Sequence, residues 1–326
     1  MLKKILVYFL ILLLAAYPAS AGEVSLTRWV LNVTLDESGL VEEVIQVEIQ
    51  NAGSLPLDGI SFIVLSSKVT MIYDFSHTFS SYGQTDQQQA VSGGTKIELN
   101  FNQSVKPGDK WSGRIGFTAG NMAVKEGSDY SLDILVNAPQ AIVSGKKIDI
   151  SIPTDADIRA QVFLPKSYEL ISVQPDPFRN LFQYGRMVPT WTPEKLHIGD
   201  TIRIKSAYSD VLAKIVGNDD RARKLKADIK NAKDAGKIVQ DAENYLASAN
   251  ENNNKAFASF GGKDYSVALQ YAGYANDELN RAENNLTGST AKAAPKATVK
   301  TPGFEAYIFG FALLITLLSR NLLRNV

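Results

Sequence analysis

Cysteine is absent from the 326 residues and histidine occurs only twice. The first absence excludes disulfides, thiolate metal sites and cysteine nucleophiles, and the second leaves little material for imidazole chemistry. A surplus of either charge is also missing, since 34 basic side chains balance 34 acidic ones. Nucleic-acid binding normally leaves a clustered basic excess, so the composition argues against that partner. No phosphate-cradling P-loop and no dinucleotide fingerprint occurs, so the expectation is a protein with no cofactor, no metal and no enzymatic activity. What is present is 45% apolar side chains, enough for real cores over a length that suggests about two globular units.

The two ends carry the information on location. Lys3 and Lys4 precede an apolar run over residues 5–16, and Ala19-Ser20-Ala21 then offers a small-x-small cleavage site before Gly22. Residues 1–21 thus have the three-part form of a secretory signal, with an uncleaved N-terminal membrane helix as the alternative. At the other end Pro302, Gly303 and Phe304 lead into residues 306–318, where only Tyr307, Gly310 and Thr316 are not plainly apolar, followed by Arg320 and Arg324. A helix over 304–323 would cover a bilayer core with the arginines on the cytoplasmic side.

This Pro-Gly-Phe, apolar segment and basic end resembles the PGF-CTERM sorting signal of archaeal surface proteins. The resemblance implies recognition by an archaeosortase that removes the tail and leaves the protein on a lipid; it covers about 25 residues and does not reach the ectodomain. Arg320 and Arg324 are separated by Asn321-Leu322-Leu323, where family members usually have a compact basic run. Residues 287–302, rich in threonine, alanine, lysine and proline, read as a flexible spacer. Three sequons, at Asn32, Asn102 and Asn285, are N-glycosylation candidates on an exported chain.

Between the ends lie two kinds of pattern. From residue 23 to about 209 the period is two: Val41, Ile45, Val47 and Ile49 share a face, as do Ile60, Phe62 and Val64, then Ile97, Leu99 and Phe101, and later Ile148, Ile150 and Ile152. Residues 80–95, the most polar stretch of this half, read as a solvated hairpin tip or a ligand-facing loop. The phrase around Gly108-Asp109 returns 91 residues later at Gly199-Asp200, each a turn followed by a strand. This echo predicts two antiparallel β-sandwiches over 22–138 and 139–208, generically similar to immunoglobulin-like domains, with one larger sandwich as the alternative.

At Asp219 the period becomes helical. Leu225, Ile229, Ala232, Gly236, Val239, Ala242, Leu246 and Ala249 form a seam that predicts one helix of about forty residues capped by Asn218, in which Gly236 is either a close-packing point or a break. A turn at Gly261-Gly262-Lys263-Asp264 and a second helix complete an α-helical hairpin over 209–286. Ala256, Phe257, Gly261, Asp264, Tyr265, Ala268, Leu269, Ala272 and Ala275 resemble a single tetratricopeptide-like helical pair, but a solenoid needs about three copies, so these residues read as hairpin packing. Seven cations between Arg221 and Lys237 stand against Asp228 and Asp234 alone, as on a solvated face. The alanine-rich seam also suits self-association, coiled-coil fashion, into a homodimer.

Candidates for chemistry are few. Asp74 and His77 lie close in sequence without a nucleophile elbow. Asp36-Glu37-Ser38-Gly39 and Asp155-Ala156-Asp157 offer oxygens without calcium-loop spacing. Phe178, Phe182, Tyr184 and Trp191 stand in a proline-flanked segment and read either as a glycan or partner platform or as a cover over the sandwich end. The expected architecture is mainly β, two sandwiches on a helical stalk with a C-terminal transmembrane helix at 303–326. The expected role is a cell-surface structural or adhesion glycoprotein contacting a protein or glycan, with its bulk outside and a short cytoplasmic tail. The alternative is an accessory ectodomain docked on the subunits of a membrane complex.

Overall fold

A computed structural model describes residues 24–76, 84–137 and 139–288. Among them strands come first: β1 (Val24–Leu35), β2 (Val41–Asn51), β3 (Leu57–Val64), β4 (Lys68–Ser76), β5 (Gln84–Val91), β6 (Gly94–Val105), β7 (Lys110–Gly120) and β8 (Ala123–Glu126). They continue as β9 (Asp129–Leu135), β10 (Gln140–Val143), β11 (Lys146–Asp149), β12 (Asp157–Phe163), β13 (Tyr168–Gln174), β14 (Arg179–Gln183), β15 (Arg186–Trp191) and β16 (Thr201–Tyr208). Helices follow as α1 (Asp210–Asp234), α2 (Gln240–Gly261) and α3 (Tyr265–Gly288).

The alternation seen in sequence is the alternation of burial. In β2 the side chains of Val41, Ile45, Val47 and Ile49 are buried while Glu42, Gln46 and Glu48 lie outward, and the β3 and β6 faces expected from sequence are likewise inside. The strands assemble a seven-stranded sheet in the order β14-β15-β12-β1-β2-β7-β4, a five-stranded sheet β11-β10-β3-β6-β5 and a four-stranded sheet β13-β16-β9-β8. Aromatic contacts join the first two: Trp29 meets Phe62 edge-on at 6.1 Å, and Phe101 stacks on Trp111 at 4.7 Å. Burial of such side chains is the dominant stabilising contribution, at roughly 1.5–3 kcal/mol for each large apolar one.

The division expected at 138 is crossed by the backbone ladders. β1 pairs in parallel with β12, β3 pairs with β10, and β9 pairs with β16. One core cluster accordingly contains Trp29, Ile49 and Phe117 together with Val162, Trp191 and Ile202. The Gly-Asp echo is local turn chemistry: Gly108 and Gly199 have φ of 88° and 94°, where a side chain would be strained, and both open onto a strand of this same core. Two further expectations shift. Of the polar stretch, residues 84–95 supply β5, a short turn and the start of β6, a hairpin, and the exposed side chains of Gln87, Gln88 and Gln89 suit a sheet edge. The Ile148–Ile152 alternation ends early, because β11 stops at Asp149 and Ser151 instead bonds to Val24.

The helical region departs from the hairpin in having three helices. α1 begins directly after β16, with the Ser209 hydroxyl accepting from the Leu212 amide, nine residues before the expected cap. Asn218 is not a cap but a buried cross-link, its Nδ2 donating to the Ala272 carbonyl at 2.8 Å, while Asn253 Nδ2 donates to the Ile215 carbonyl. The forty-residue helix breaks at Gly236, with φ of 79°: its amide bonds Lys233 O and the Lys237 amide bonds Ala232 O, the Schellman pattern. The expected turn before α3 is present, and Asp264 caps that helix through the Val267 amide. Ala242, Leu246 and Ala249 then pack with Leu279 and Ala282, while Leu212, Ile215, Ala256 and Ala268 form a second cluster against Phe182 and Met187 of the β14–β15 hairpin. No helix among the described residues is long and apolar enough to cross a membrane.

Candidate functional site

β14 and β15 are joined by Tyr184 and Gly185, both at positive φ, with Gln183 paired to Arg186. β15 holds to β12 through only two residue pairs, Ala160 with Trp191 and Gln161 with Thr190. On the sheet face that carries Val30, Asn32, Arg159 and Gln161 lies an open cleft of ≈ 340 Å³, walled on the hairpin side by Phe178, Arg179 and Leu181. The parallel register places Arg159 beside Val30 and Gln161 beside Asn32. Gln161 Nε2 donates to Asn32 Oδ1, which ties the floor together.

The four aromatic candidates fall in four different settings. Phe178 is 57% exposed at the cleft, its amide bonded to the Thr190 carbonyl. The Arg179 guanidinium lies 5.8 Å from its ring centroid. Trp191 is 2% exposed and belongs to the core, its Nε1 donating to the Pro175 carbonyl at 2.9 Å. Phe182 packs on Phe257 of α2, with centroids 4.3 Å apart. Tyr184, at the turn, is 75% exposed. They do not form one platform, because strand alternation sends Phe182 to the face opposite Leu181 and Gln183.

The sequons differ in the same way. Asn32 is half-buried and engaged with Gln161, whereas Asn102 on β6 and Asn285 on α3 are exposed. Ala21, Gly22, Pro302, Gly303, Phe304, Arg320, Arg324 and His77 lie outside the described residues. The acidic loops are occupied by their own structure. Asp36 Oδ1 accepts from the amides of Ser38 and Leu40, and Asp157 faces Arg28 and Arg159. No group of three or more potential metal ligands gathers among the described residues. His197 is exposed beside Asp200 in its turn.

Two features were not anticipated. Glu43 occupies an inward position of β2, fully buried, and burial pushes its pKa up to about 8. Its Oε1 and the Trp29 Nε1 both lack a protein partner and line one small internal void of ≈ 10 Å³, about the space of a single water. A charged residue in a core-facing register was the available signal. The second feature is an open groove of ≈ 770 Å³ between α1 and α2, with Ile229 and Leu246 among its lining. Arg223, Lys226, Lys230 and Lys233 edge it at helical spacing. Arg223 is paired with Asp219 and Asp220, and Lys233 with Glu243.

No protein-family model and no curated protein matches this chain. Among solved structures, the M1 zinc metallopeptidase from Deinococcus radiodurans is 12% identical with a TM-score of 0.36, covering 58% of this chain and 43% of that one. Leukotriene A4 hydrolase from Saccharomyces cerevisiae is 9% identical with a TM-score of 0.35, over 56% and 29%. A cohesin module from a Clostridium perfringens family 33 glycoside hydrolase is 9% identical with a TM-score of 0.25, over 40% and 90%. This chain spans less than half the length of the first two, and likenesses of this size carry no argument about activity.

Proposed function

We propose that this chain is a membrane-anchored, non-catalytic cell-surface protein with a structural or adhesive role, presenting its β region to a glycan or another protein. The observation that carries the reading is the open cleft beside β14, where the Phe178 ring is 57% exposed among amide, hydroxyl and guanidinium side chains. Exposed aromatic surface rimmed by polar groups is characteristic of contact sites rather than of plain solvated sheet. The signal-like residues 1–21 and the apolar segment 303–326, with its PGF-CTERM resemblance, supply the location. A lipid-linked or helix-anchored chain with its bulk outside follows from them. The test is retention of the natively purified protein on immobilised cell-surface material. Retention that falls at least tenfold in Phe178→Ala supports the reading, and equal retention of the variant removes the cleft from it.

A second reading, an accessory subunit of a membrane complex, is favoured by the α1–α2 groove, whose cation stripe and apolar floor suit an acidic amphipathic helix. Purification from the membrane with fixed-ratio partners, released by Lys226→Glu and Lys230→Glu together, would select it. Recovery as a lone chain or as a homodimer would leave the first reading in place.

A further inference from the structure

The cleft across β1, β12, β14 and β15 is lined by two guanidinium groups, Arg159 and Arg179, and by no carboxylate. Arg159 shares the Asp157 carboxylate with Arg28, its Nε lying 2.5 Å from Asp157 Oδ1. Arg179 is in no ion pair among the described residues; its charge stands next to the exposed Phe178 ring and its backbone carbonyl is held by the Thr190 hydroxyl. An arginine left without a fixed anion inside a concave surface is a receptor for a planar carboxylate, which its fork matches with two parallel hydrogen bonds. The floor adds neutral polar groups. The bond from Gln161 Nε2 to Asn32 Oδ1 uses one donor and one acceptor of the pair. Asn32 Nδ2 and Gln161 Oε1 then remain to read hydroxyl groups. Phe178 supplies a ring for the apolar face of a pyranose, and ≈ 340 Å³ accommodates a ligand of mono- or disaccharide size.

We propose that this cleft binds a carboxylated saccharide, with Arg179 meeting the uronate carboxylate, Phe178 covering the sugar face and the Asn32–Gln161 pair reading its hydroxyls. The inference rests on the surface-contact reading and names the ligand class of the same site. Arg28, Asp157 and Arg159 together leave one positive charge at its edge, so they add a general attraction for an anion to the unpaired guanidinium of Arg179.

The experiment is calorimetric titration of the natively purified, detergent-solubilised full chain with trimers of galacturonate, glucuronate and mannuronate, set against maltotriose as the neutral probe. At least one uronate trimer is expected to bind at least tenfold more tightly than maltotriose. That preference should disappear in Arg179→Gln, should weaken with added salt, and total binding should fall at least tenfold in Phe178→Ala. Both side chains lie at the surface, so the variants should melt with the wild type. Equal binding of uronate and neutral trimers, unchanged in Arg179→Gln, would overturn the charge selection while leaving a glycan site. Binding of none of the four probes would overturn the site itself and leave protein contact as the surface role.

Discussion

Glu43 sits where the alternation of β2 calls for an apolar side chain, between Val41 and Ile45 on the inward face. Burial favours the neutral acid, so the folded protein holds its proton up to about pH 8 whereas the unfolded chain releases it near 4.5. Stability from this group is therefore fully present below pH 4.5. It is lost as pH rises toward 8, at about 1.4 kcal/mol per pH unit. We expect urea midpoints of the wild type to fall between pH 5 and 8 relative to those of Glu43→Gln, whose midpoints carry no such slope; parallel curves would contradict the burial argument. The same scale separates the sequons. In peptide mass spectra of the protein from a glycosylating host, the exposed Asn102 and Asn285 should carry glycan and Asn32, half-buried within a central strand, should not.

Helix ends show what single-residue patterns can and cannot reveal. Gly236 was legible as a weak point in the seam, and it ends α1 at positive φ. Gly236→Ala should therefore cost about 1–2 kcal/mol. Gly273, within α3 and with open space where a Cβ would stand, should give about 0.5–1 kcal/mol of stabilisation as Gly273→Ala. Denaturant titration of the two variants checks both signs. The start of α1 was not legible, because Asn218-Asp219-Asp220 imitates a cap and its acids. The true beginning is the Ser209 cap, followed by Leu212, Ile215 and Val216 at helical spacing. Asn218 instead joins α1 to α3 in a buried bond and also faces Asn253 Oδ1, so Asn218→Leu removes the cross-link, leaves the buried Asn253 amide oxygen without that donor and should cost about 1–3 kcal/mol.

At the scale of the whole molecule, the strands were legible and their neighbours were not. A period of two tells which side chains share a face and leaves open which strand lies alongside. The pairings β1–β12, β3–β10 and β9–β16 thus cross the expected boundary without any local signal. A fragment ending at 138 lacks three of these partners and should show no cooperative melt, whereas the described β and α regions together should. The candidate site was half legible for the same reason. Proline and aromatic residues marked the segment, but only the fold decides that Trp191 is core, Phe182 a helix contact and Phe178 the ring left in the cleft.

The central claim, an exported and membrane-held surface protein, is tested most directly by the intact mass of the chain recovered from separated membrane and soluble fractions. The account predicts a membrane-borne chain beginning at Gly22, ending either at Val326 or near Pro302 with an added lipid mass. A chain beginning at Met1 and recovered from the soluble fraction would contradict it.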